Sequence, residues 1–492
     1  MVLYKEENFL VVHPGSKHTL FSFGLQDSLS PPQYKIPSIV YQDPKTKEYK
    51  SKRNENEDGE GSIKLIEIHP IKAAKIVDVN AFNYLLKIIL QSVITNNPII
   101  TINQIPLLLI IPSLTWSRAN IEYVTKYVIE TLEFTAFNIL DISLASTFGI
   151  GSSTNSIVVN VGYESMQIVP VLGYQIIKYA SKYINGVGSN LINEELAKIL
   201  PNLSSSQIED LKTSNIYEVL NDHADSFYTY DDINNAGVTN DEDEFDIAKK
   251  ITEDSVEPTT IAETNGNSKP EESNGNTKQE EEVSEEDQKP NHELETNKFI
   301  DSKTGSKIAV GKERFQGCNK LINIIAENIY KSLKLIPDLE KRQECYTNII
   351  IVGSTGKIPG FKEGVLYKLS QDYRIREPRT DNGTSGGDDG KDDGINSALA
   401  KYQQAEDDVE GESNNDLSQV PNTIKLAKYP DYFPEWKKPK EKGGSWDDIY
   451  FLGGEIYGKQ IFSNNSNHGR ELFIDSDVYE ERGPQSIWDV SI

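Results

Sequence analysis

Short apolar runs that end in a glycine turn recur along the chain. Residues 156–164 form a β-branched run that leads into Gly162, a shape typical of loops that hold phosphate groups. Residues 10–16 repeat it near the N-terminus with an apolar run, one polar residue, a spacer and a glycine. A third run and turn span 348–356. The pattern predicts an internally duplicated chain whose two copies face one cleft.

The spacing of apolar residues around these turns alternates between strand and helix periods. Residues 19–23 alternate as a hairpin partner of the first run, and 166–171 are expected to pair back on the second. Helical spacing over 79–94 precedes a buried strand at 105–111, and Ser117 caps a further helix. This alternation predicts an α/β fold with helices packed on the sheets. We also predict helices over 189–200, 206–220 and 319–334 and a strand over 449–454.

The negative charge of the chain is concentrated in two segments. Of the formal net charge of −26 over 492 residues, −17 falls within 221–300, where 23 acidic residues face 6 basic ones. Another −8 falls within 371–420, with 13 acidic and 5 basic residues. Because few apolar residues cluster in either segment, neither offsets the entropy lost on ordering. We therefore predict two acidic disordered insertions, 222–297 and the Gly/Asn-rich 371–420.

The charge, the apolar runs and the cysteines of the rest of the chain each limit its partners. Outside the two acidic segments the chain is nearly uncharged. An uncharged body has no electrostatic reason to bind nucleic acid directly. The longest purely apolar run, 105–111, is far shorter than the ~20 residues that span a bilayer. Cys318 and Cys345 fit a reducing compartment, and no Cys/His spacing indicates a metal site. The sequence therefore predicts a soluble, intracellular protein with no membrane partner.

Five short motifs occur in an order and at intervals that resemble the actin family. They are Pro-Ser-Ile-Val at 37–40, Gly-Lys-Glu-Arg-Phe at 311–315, Gly-Ser-Thr-Gly at 353–356, Phe-Leu-Gly-Gly at 451–454 and Arg-Gly-Pro-Gln-Ser at 482–486. The resemblance implies an actin-like α/β fold, in which duplicated ribonuclease-H-like units form two lobes around a central cleft. It implies a first lobe of 1–155 plus 421–492 and a second lobe of 156–221 plus 298–370.

Three further motifs, at 314–319, 424–438 and 488–490, resemble an actin-related subunit of the fungal SWI/SNF and RSC chromatin remodellers. Without the matching motifs, 424–438 would be an ordinary surface loop with packed aromatic residues. The resemblance implies pairing with actin-related protein 7 and binding to the long helix before the motor of the remodeller's ATPase subunit. It also implies contact with other SWI/SNF and RSC subunits and a nuclear location.

Actin-like ATPases hold a metal-bound nucleotide with a carboxylate at the end of each duplicated strand, because magnesium takes hard oxygen ligands. This chain has His13 and Asn160 at those positions. No glutamine lies within 141–145, where the resemblance expects the water-positioning one, and Gln167 replaces the expected histidine. We therefore predict a degenerate ATPase site with no catalytic residue, no metal and no cofactor. The cleft residues are His13, Gly15, Ser16, Lys17, Asn160, Gly162, Tyr163, Lys312, Glu313, Gly353, Ser354 and Thr355.

Weak residual binding of ATP stays open as an alternative. A protonated His13, or Lys17, could contact a phosphate without a metal, or both could face solvent at a collapsed cleft. Glu164 follows the second glycine turn and would repel phosphates unless a cation intervened. Lys312 and Glu313 fall where the resemblance expects adenosine contacts, but a surface ion pair would explain them equally well.

The resemblance places the partner helix in a hydrophobic groove, where an amphipathic helix would insert its apolar side chains. The groove residues are expected to be Phe148, Gly149, Tyr457 and Ile461. Plain core packing is the alternative for Tyr457 and Ile461.

Two other functions remain as alternatives: an actin-superfamily ATPase and a polymerising cytoskeletal actin. The insertion at 222–297 and the altered loop at 42–61 argue against a filament. The acidic insertions could attract basic histone tails, or could be tolerated solvated segments.

Overall fold

The computed structural model describes most of the chain outside the predicted insertions. It covers residues 4–25, 29–51, 65–98, 104–227, 289–374, 420–437, 445–463 and 472–490. Within the predicted insertions, 228–288 and 375–419 lie outside the described residues, as does 52–61 of the predicted loop.

Before the first insertion, the described residues form fourteen strands and five α-helices. The strands are β1 (Leu10–Pro14), β2 (His18–Phe23), β3 (Tyr34–Pro37), β4 (Val40–Gln42), β5 (Tyr49–Lys50), β6 (Ile66–Ile68), β7 (Ile71–Lys72), β8 (Lys75–Ile76), β9 (Pro106–Ile111), β10 (Ala136–Asp141), β11 (Ser156–Val161), β12 (Ser165–Leu172), β13 (Gln175–Ile176) and β14 (Lys182–Asn185). The helices are α1 (Val79–Asn96), α2 (Arg118–Lys126), α3 (Ile142–Ile150), α4 (Ser189–Ile199) and α5 (Ser205–Thr213).

The part that follows the first insertion completes the second sheet and then returns to the first. Its elements are β15 (Asn297–Ile300), β16 (Lys307–Val310), α6 (Asn319–Leu333), α7 (Leu339–Thr347), β17 (Ile349–Val352), α8 (Phe361–Tyr373), α9 (Pro434–Lys437), α10 (Ile449–Ser463), α11 (Ser476–Arg482) and α12 (Ile487–Val490). Ile474 forms a bridge with Phe137 of β10, so the C-terminal segment packs on the first sheet.

The two five-stranded sheets have the same arrangement of strands around their central strand. In the first, β1 pairs antiparallel with β2 and parallel with β9, and the strand order is β10-β9-β1-β2-β3. In the second, β11 pairs antiparallel with β12 and parallel with β17, with β13 and β14 on β12. We call the parts built around the two sheets the first and second lobes. The duplication predicted from the glycine turns is therefore confirmed at the level of strand pairing.

Both hairpins also turn in the same way. The amide of Gly15 donates to the carbonyl of His18 at 3.0 Å, and the amide of Gly162 donates to the carbonyl of Ser165 at 2.9 Å. A Cβ atom added to either glycine would lie 2.6 or 2.9 Å from that same carbonyl oxygen. Since real Cβ atoms do not approach so closely, both turns require glycine.

Three apolar cores hold the lobes together. One surrounds the first sheet with α1, α2 and the C-terminal helices, and a second surrounds the second sheet with α4, α6 and α8. The third lies between the sheets, where α3 and α10 pack against each other and against residues of both lobes, such as Val11 and Val158. The predicted apolar runs supply β1, β9, β11, α1, α2 and α6 of these cores. The sequence analysis did not predict β10, α3 or α8, which also line them.

Two predicted elements differ from the structure. Residues 449–454 were expected to form a strand, but they begin helix α10. Their glycines serve close packing, because a Cβ atom on Gly453 would lie 1.7 Å from the carbonyl oxygen of Ala145 in α3. The helix expected over 206–220 ends at Thr213, although Ser204 and Gln207 form the capping box that begins it.

The disordered insertion predicted over 222–297 is too long, because the structure describes 222–227 and 289–297, and the latter contact the second lobe. Arg314 is fully buried, and its guanidinium donates to the carbonyls of Gly311, Asn291 and Leu294 at 2.6 Å each. Residues 289–297 are thus held against the 311–315 motif. No helix in the described part of the chain is both long and apolar enough to cross a membrane.

Candidate functional site

Ser38 of the 37–40 motif forms hydrogen bonds with the backbone of the first glycine turn. Ser38 is fully buried, and its hydroxyl donates to the carbonyl of Gly15 at 2.7 Å and lies 2.9 Å from the hydroxyl of Thr19. The amide of Ser38 donates to the carbonyl of Lys17 at 3.0 Å. These bonds fix the backbone of the turn independently of any ligand.

His13 occupies the end of β1 as a neutral imidazole. Its Nδ1 lies 3.1 Å from the carbonyl oxygen of Ile110, and because a carbonyl only accepts, Nδ1 carries the proton. The ring packs against Tyr450, with centroids 4.6 Å apart. Burial lowers the pKa of His13 to about 4, although the bond to Ile110 opposes this. At neutral pH His13 therefore carries no charge for a phosphate contact.

Asn160 ends β11 opposite Gln167 of β12 and next to Val352 of β17. Gln167 Oε1 accepts from the amide of Leu114 in the first lobe at 3.1 Å, and its Nε2 is buried without a hydrogen-bond partner among the described residues. Asp141 caps α3 by accepting from the amide of Ser143 at 2.7 Å. These positions hold an amide and a capping carboxylate where a water-positioning pair was expected.

The side chain of Lys17 forms an ion pair across the cleft, in contrast to the alternative in which it only faces solvent. Its Nζ lies 2.6 Å from Glu209 Oε1 of α5 in the second lobe and 4.9 Å from the ring centre of Tyr163. Lys212 binds the other carboxylate oxygen of Glu209 at 2.8 Å, and Asn193 donates to that oxygen as well. Burial raises the pKa of Glu209, but these partners together lower it to about 2. Lys17 is thus committed to an ion pair across the cleft.

A short hairpin, β7 and β8, lies between the two glycine turns. The amide of Ala74 donates to Ser16 Oγ of the first turn at 2.9 Å, and the amide of Ala73 donates to Glu164 Oε2 beside the second turn at 2.9 Å. The second turn also packs on α4, whose Ser189 amide donates to the carbonyl of Gly162 at 2.9 Å.

The third glycine turn is covered by the segment that precedes α10. The amide of Gly353 donates to the carbonyl of Asp447 at 3.1 Å. The Asp447 carboxylate pairs with Lys362 at 2.7 Å, both side chains being nearly buried, and Asp448 pairs with Lys357 at 3.0 Å. Two carboxylates and their lysines therefore pack beside the turn that the resemblance assigns to the nucleotide base.

The remaining predicted cleft residues take separate positions. Lys312 pairs with Glu295 at 3.0 Å on an exposed surface, whereas Glu313 folds back towards Gly311. Ser354 is exposed, and Thr355 is buried with no hydrogen-bond partner for its hydroxyl in the described part of the chain. The surface ion pair proposed for Lys312 thus forms with Glu295 and not with its neighbour.

A magnesium nucleotide does not fit the residues at the two strand ends. Magnesium binds through carboxylates and phosphates, whereas His13 and Asn160 offer a neutral ring and an amide. Two carboxylates beside the glycine turns, Glu164 and Glu209, already accept hydrogen bonds from Ala73 and from lysines. Within the described ranges, no group of three or more His, Cys, Asp or Glu side chains is placed to hold a metal ion.

A separate cavity of about 280 Å³ lies at the ends of α3 and α10, lined by Phe148, Tyr174, Ile456, Tyr457 and Gln460. Phe148 stacks on Tyr457 at 6.0 Å and contacts Tyr174 at 5.4 Å.

The four predicted groove residues differ in access to this cavity. Phe148 is partly exposed, and Tyr457 reaches it although its side chain is only 5% exposed. Gly149 and Ile461 are buried in the core between the sheets. For Ile461 this agrees with the alternative of plain core packing.

The lobes, the duplicated hairpins and the central helix pair agree with comparison to known sequences. The family model for actin matches residues 4–380. The chain belongs to the actin family. It is also similar to the "SWI/SNF and RSC complexes subunit arp9" of Schizosaccharomyces pombe, with 25% identity over 566 aligned positions that cover 99% of each chain. The two-lobed actin fold expected from the motifs is therefore confirmed.

Several residues of this actin-family cleft could not be found from the sequence. Glu209, Tyr183 and the tip residues Ala73 and Ala74 belong to it only through tertiary contacts. Their positions are tens to hundreds of residues from the glycine turns, and they carry no motif. The one available signal was Glu164, whose negative charge beside a phosphate-type loop required a partner.

Proposed function

We propose that this chain is a non-catalytic, actin-related subunit of a nuclear chromatin-remodelling complex of the SWI/SNF or RSC type. The observation that carries the proposal is the similarity, over 99% of both chains, to a fission-yeast subunit of those complexes. The chemistry of the cleft supports the non-catalytic part, because the strand ends present His13 and Asn160 in place of carboxylates.

The finer proposal concerns partners. We infer that the protein pairs with actin-related protein 7 and that both bind a long helix before the motor of the remodeller's ATPase subunit. The cavity at Phe148 and Tyr174 supports a helix-in-groove contact, since three of its five lining side chains are aromatic and it is open to solvent. The near-neutral body supports contact with proteins rather than DNA.

The groove is tested best with a residue that is not part of the core. Tyr457 is 5% exposed and its hydroxyl accepts from Asn138, so Tyr457→Asp would bury a carboxylate and unfold the protein. Tyr174 is 37% exposed at the cavity, and its backbone has a positive φ of 59° that aspartate tolerates. Tyr174→Asp therefore changes the surface without this cost.

We expect the amount of ATPase subunit recovered with tagged Tyr174→Asp protein to be about 30-fold lower than with wild type. This factor corresponds to the loss of about 2 kcal/mol of binding free energy on removing an aromatic anchor. Tyr179→Asp is the matched control, because Tyr179 is 65% exposed on the same lobe and does not line the cavity. Equal recovery with both variants would reject the groove. Absence of all remodeller subunits from the wild-type purification would reject the proposed function itself.

A further inference from the structure

The hairpin of β7 and β8, residues 71–76, extends from the first lobe into the cleft. Its base is anchored by Ile71 and Ile76, which are buried in the core of the first lobe. Its tip consists of Ala73 and Ala74, with φ of 47° and 60°. Two consecutive non-glycine residues in the left-handed region are uncommon, so the surrounding contacts must hold this conformation.

All four backbone polar groups of the tip have partners, and the partners come from both lobes. In the first lobe, Ser16 Oγ accepts from the amide of Ala74 at 2.9 Å, and Thr115 Oγ1 donates to the carbonyl of Ala74 at 2.5 Å. In the second lobe, Glu164 Oε2 accepts from the amide of Ala73 at 2.9 Å. Tyr183 donates its hydroxyl to the carbonyl of Ala73 at 2.9 Å.

Two further contacts cross the cleft beside this tip. Lys75 of the hairpin lies 4.8 Å from the ring centre of Tyr183, and Lys17 pairs with Glu209 at 2.6 Å. The hairpin is therefore joined to the second lobe by a carboxylate, a hydroxyl and a cation over an aromatic ring.

We propose that this bridging hairpin holds the two lobes together in place of a nucleotide. The carboxylate of Glu164 is the anion beside the second glycine turn. Because it accepts a hydrogen bond from the amide of Ala73, that amide is not available to bind a phosphate. The carboxylate is part of the chain, so closure needs neither metal nor ligand. This inference goes beyond the proposed function, because it concerns the free protein and holds whatever complex the chain joins.

Hydrogen–deuterium exchange of the full-length protein tests the proposal, read in peptides that cover 71–76 and 113–116. The second peptide contains Leu114, whose amide binds Gln167 across the lobes. Because the neighbouring Thr115 contacts the hairpin tip, exchange there is resolved to single residues and the Leu114 amide is the reporter. In wild type we expect slow exchange in both peptides, unchanged by magnesium and ATP. Glu164→Ala and Tyr183→Phe should each speed exchange at least tenfold in both peptides.

The matched controls are Glu340→Ala and Tyr179→Phe, at exposed positions away from the hairpin, and these should exchange as wild type does. Faster exchange confined to 71–76 would mean that the hairpin contacts are local and do not hold the lobes, which overturns the proposal. Slower exchange on adding ATP would overturn it as well, because closure would then depend on nucleotide. Tyr183→Phe removes a single hydroxyl, so it keeps the test valid if Glu164→Ala unfolds.

Discussion

His13 shows how one side chain can determine the chemistry of a cleft. A carboxylate at the end of β1 would offer a negative charge to a cation, whereas a neutral imidazole bonded to Ile110 and packed on Tyr450 offers none. The burial that keeps the ring neutral also makes it sensitive to acid. His13 therefore has a measurable effect on stability that does not depend on any ligand.

The pH dependence follows from the depressed pKa of His13, about 4 in the folded chain against about 6.5 when unfolded. Between these values the unfolded state binds the extra proton, so stability is lost as the pH falls from 7 towards 4. From pH 7 to pH 4.5 we expect wild type to lose about 2 kcal/mol more unfolding free energy than His13→Asn. Urea titrations at both pH values measure this difference.

His69→Asn is the control, because its side chain is 41% exposed. Identical pH profiles for wild type and His13→Asn would contradict the partly buried, neutral imidazole. His18, whose pKa burial also lowers to about 4, is present in all three proteins and cancels from the comparison.

Among the elements, the contact between α3 and α10 decides how the lobes join. The two helices approach so closely that Gly453 leaves no room for a methyl group beside the carbonyl of Ala145. Gly149 of α3 faces the same contact, since a Cβ atom there would lie 2.4 Å from the carbonyl of Ile449. Glycine is therefore required on both helices where they cross.

Gly453→Ala should destabilise the protein by about 3 kcal/mol or more, because the added methyl group forces the helices apart. Gly458→Ala lies in the same helix, and its Cβ atom would meet only Leu108 at 3.7 Å, an ordinary contact. That control should be neutral or stabilising by up to about 1 kcal/mol through helix propensity. Thermal unfolding of the two variants provides the comparison, and equal melting temperatures would refute the close crossing.

The same element marks what local sequence reasoning could and could not predict. The strands β1, β9 and β11 and the helix α1 follow from apolar periodicity, and their edges lie close to the predicted ones. The run 449–454 is short, apolar and aromatic, which fits a buried strand as well as a buried helix. Its two glycines serve close packing against α3 and β9, a role that the sequence did not indicate.

At the cleft, His13 and Asn160 could be placed because they end recognisable strands. The ion pair of Lys17 with Glu209 joins positions 192 residues apart, and no local pattern encodes such a contact. The bridging hairpin was missed for the same reason, since its tip is two alanines whose backbone, not side chains, makes the contacts.

On the scale of the whole molecule, two lobes of the actin fold are joined by a shared core and by polar contacts across the cleft. The shared core contains Val11 of the first sheet and Val158 of the second. Lys17 with Glu209, and Leu114 with Gln167, connect the lobes near the glycine turns. A closed arrangement of this kind offers partners a fixed surface, which suits a scaffold subunit.

Titration calorimetry of the purified full-length chain with magnesium and ATP tests the non-catalytic account most directly. We predict no binding heat that corresponds to micromolar affinity, for wild type and for Asn160→Ala alike, because neither strand end offers a carboxylate. Micromolar binding by wild type would contradict the account, and its loss in Asn160→Ala would show that the nucleotide binds at the end of β11.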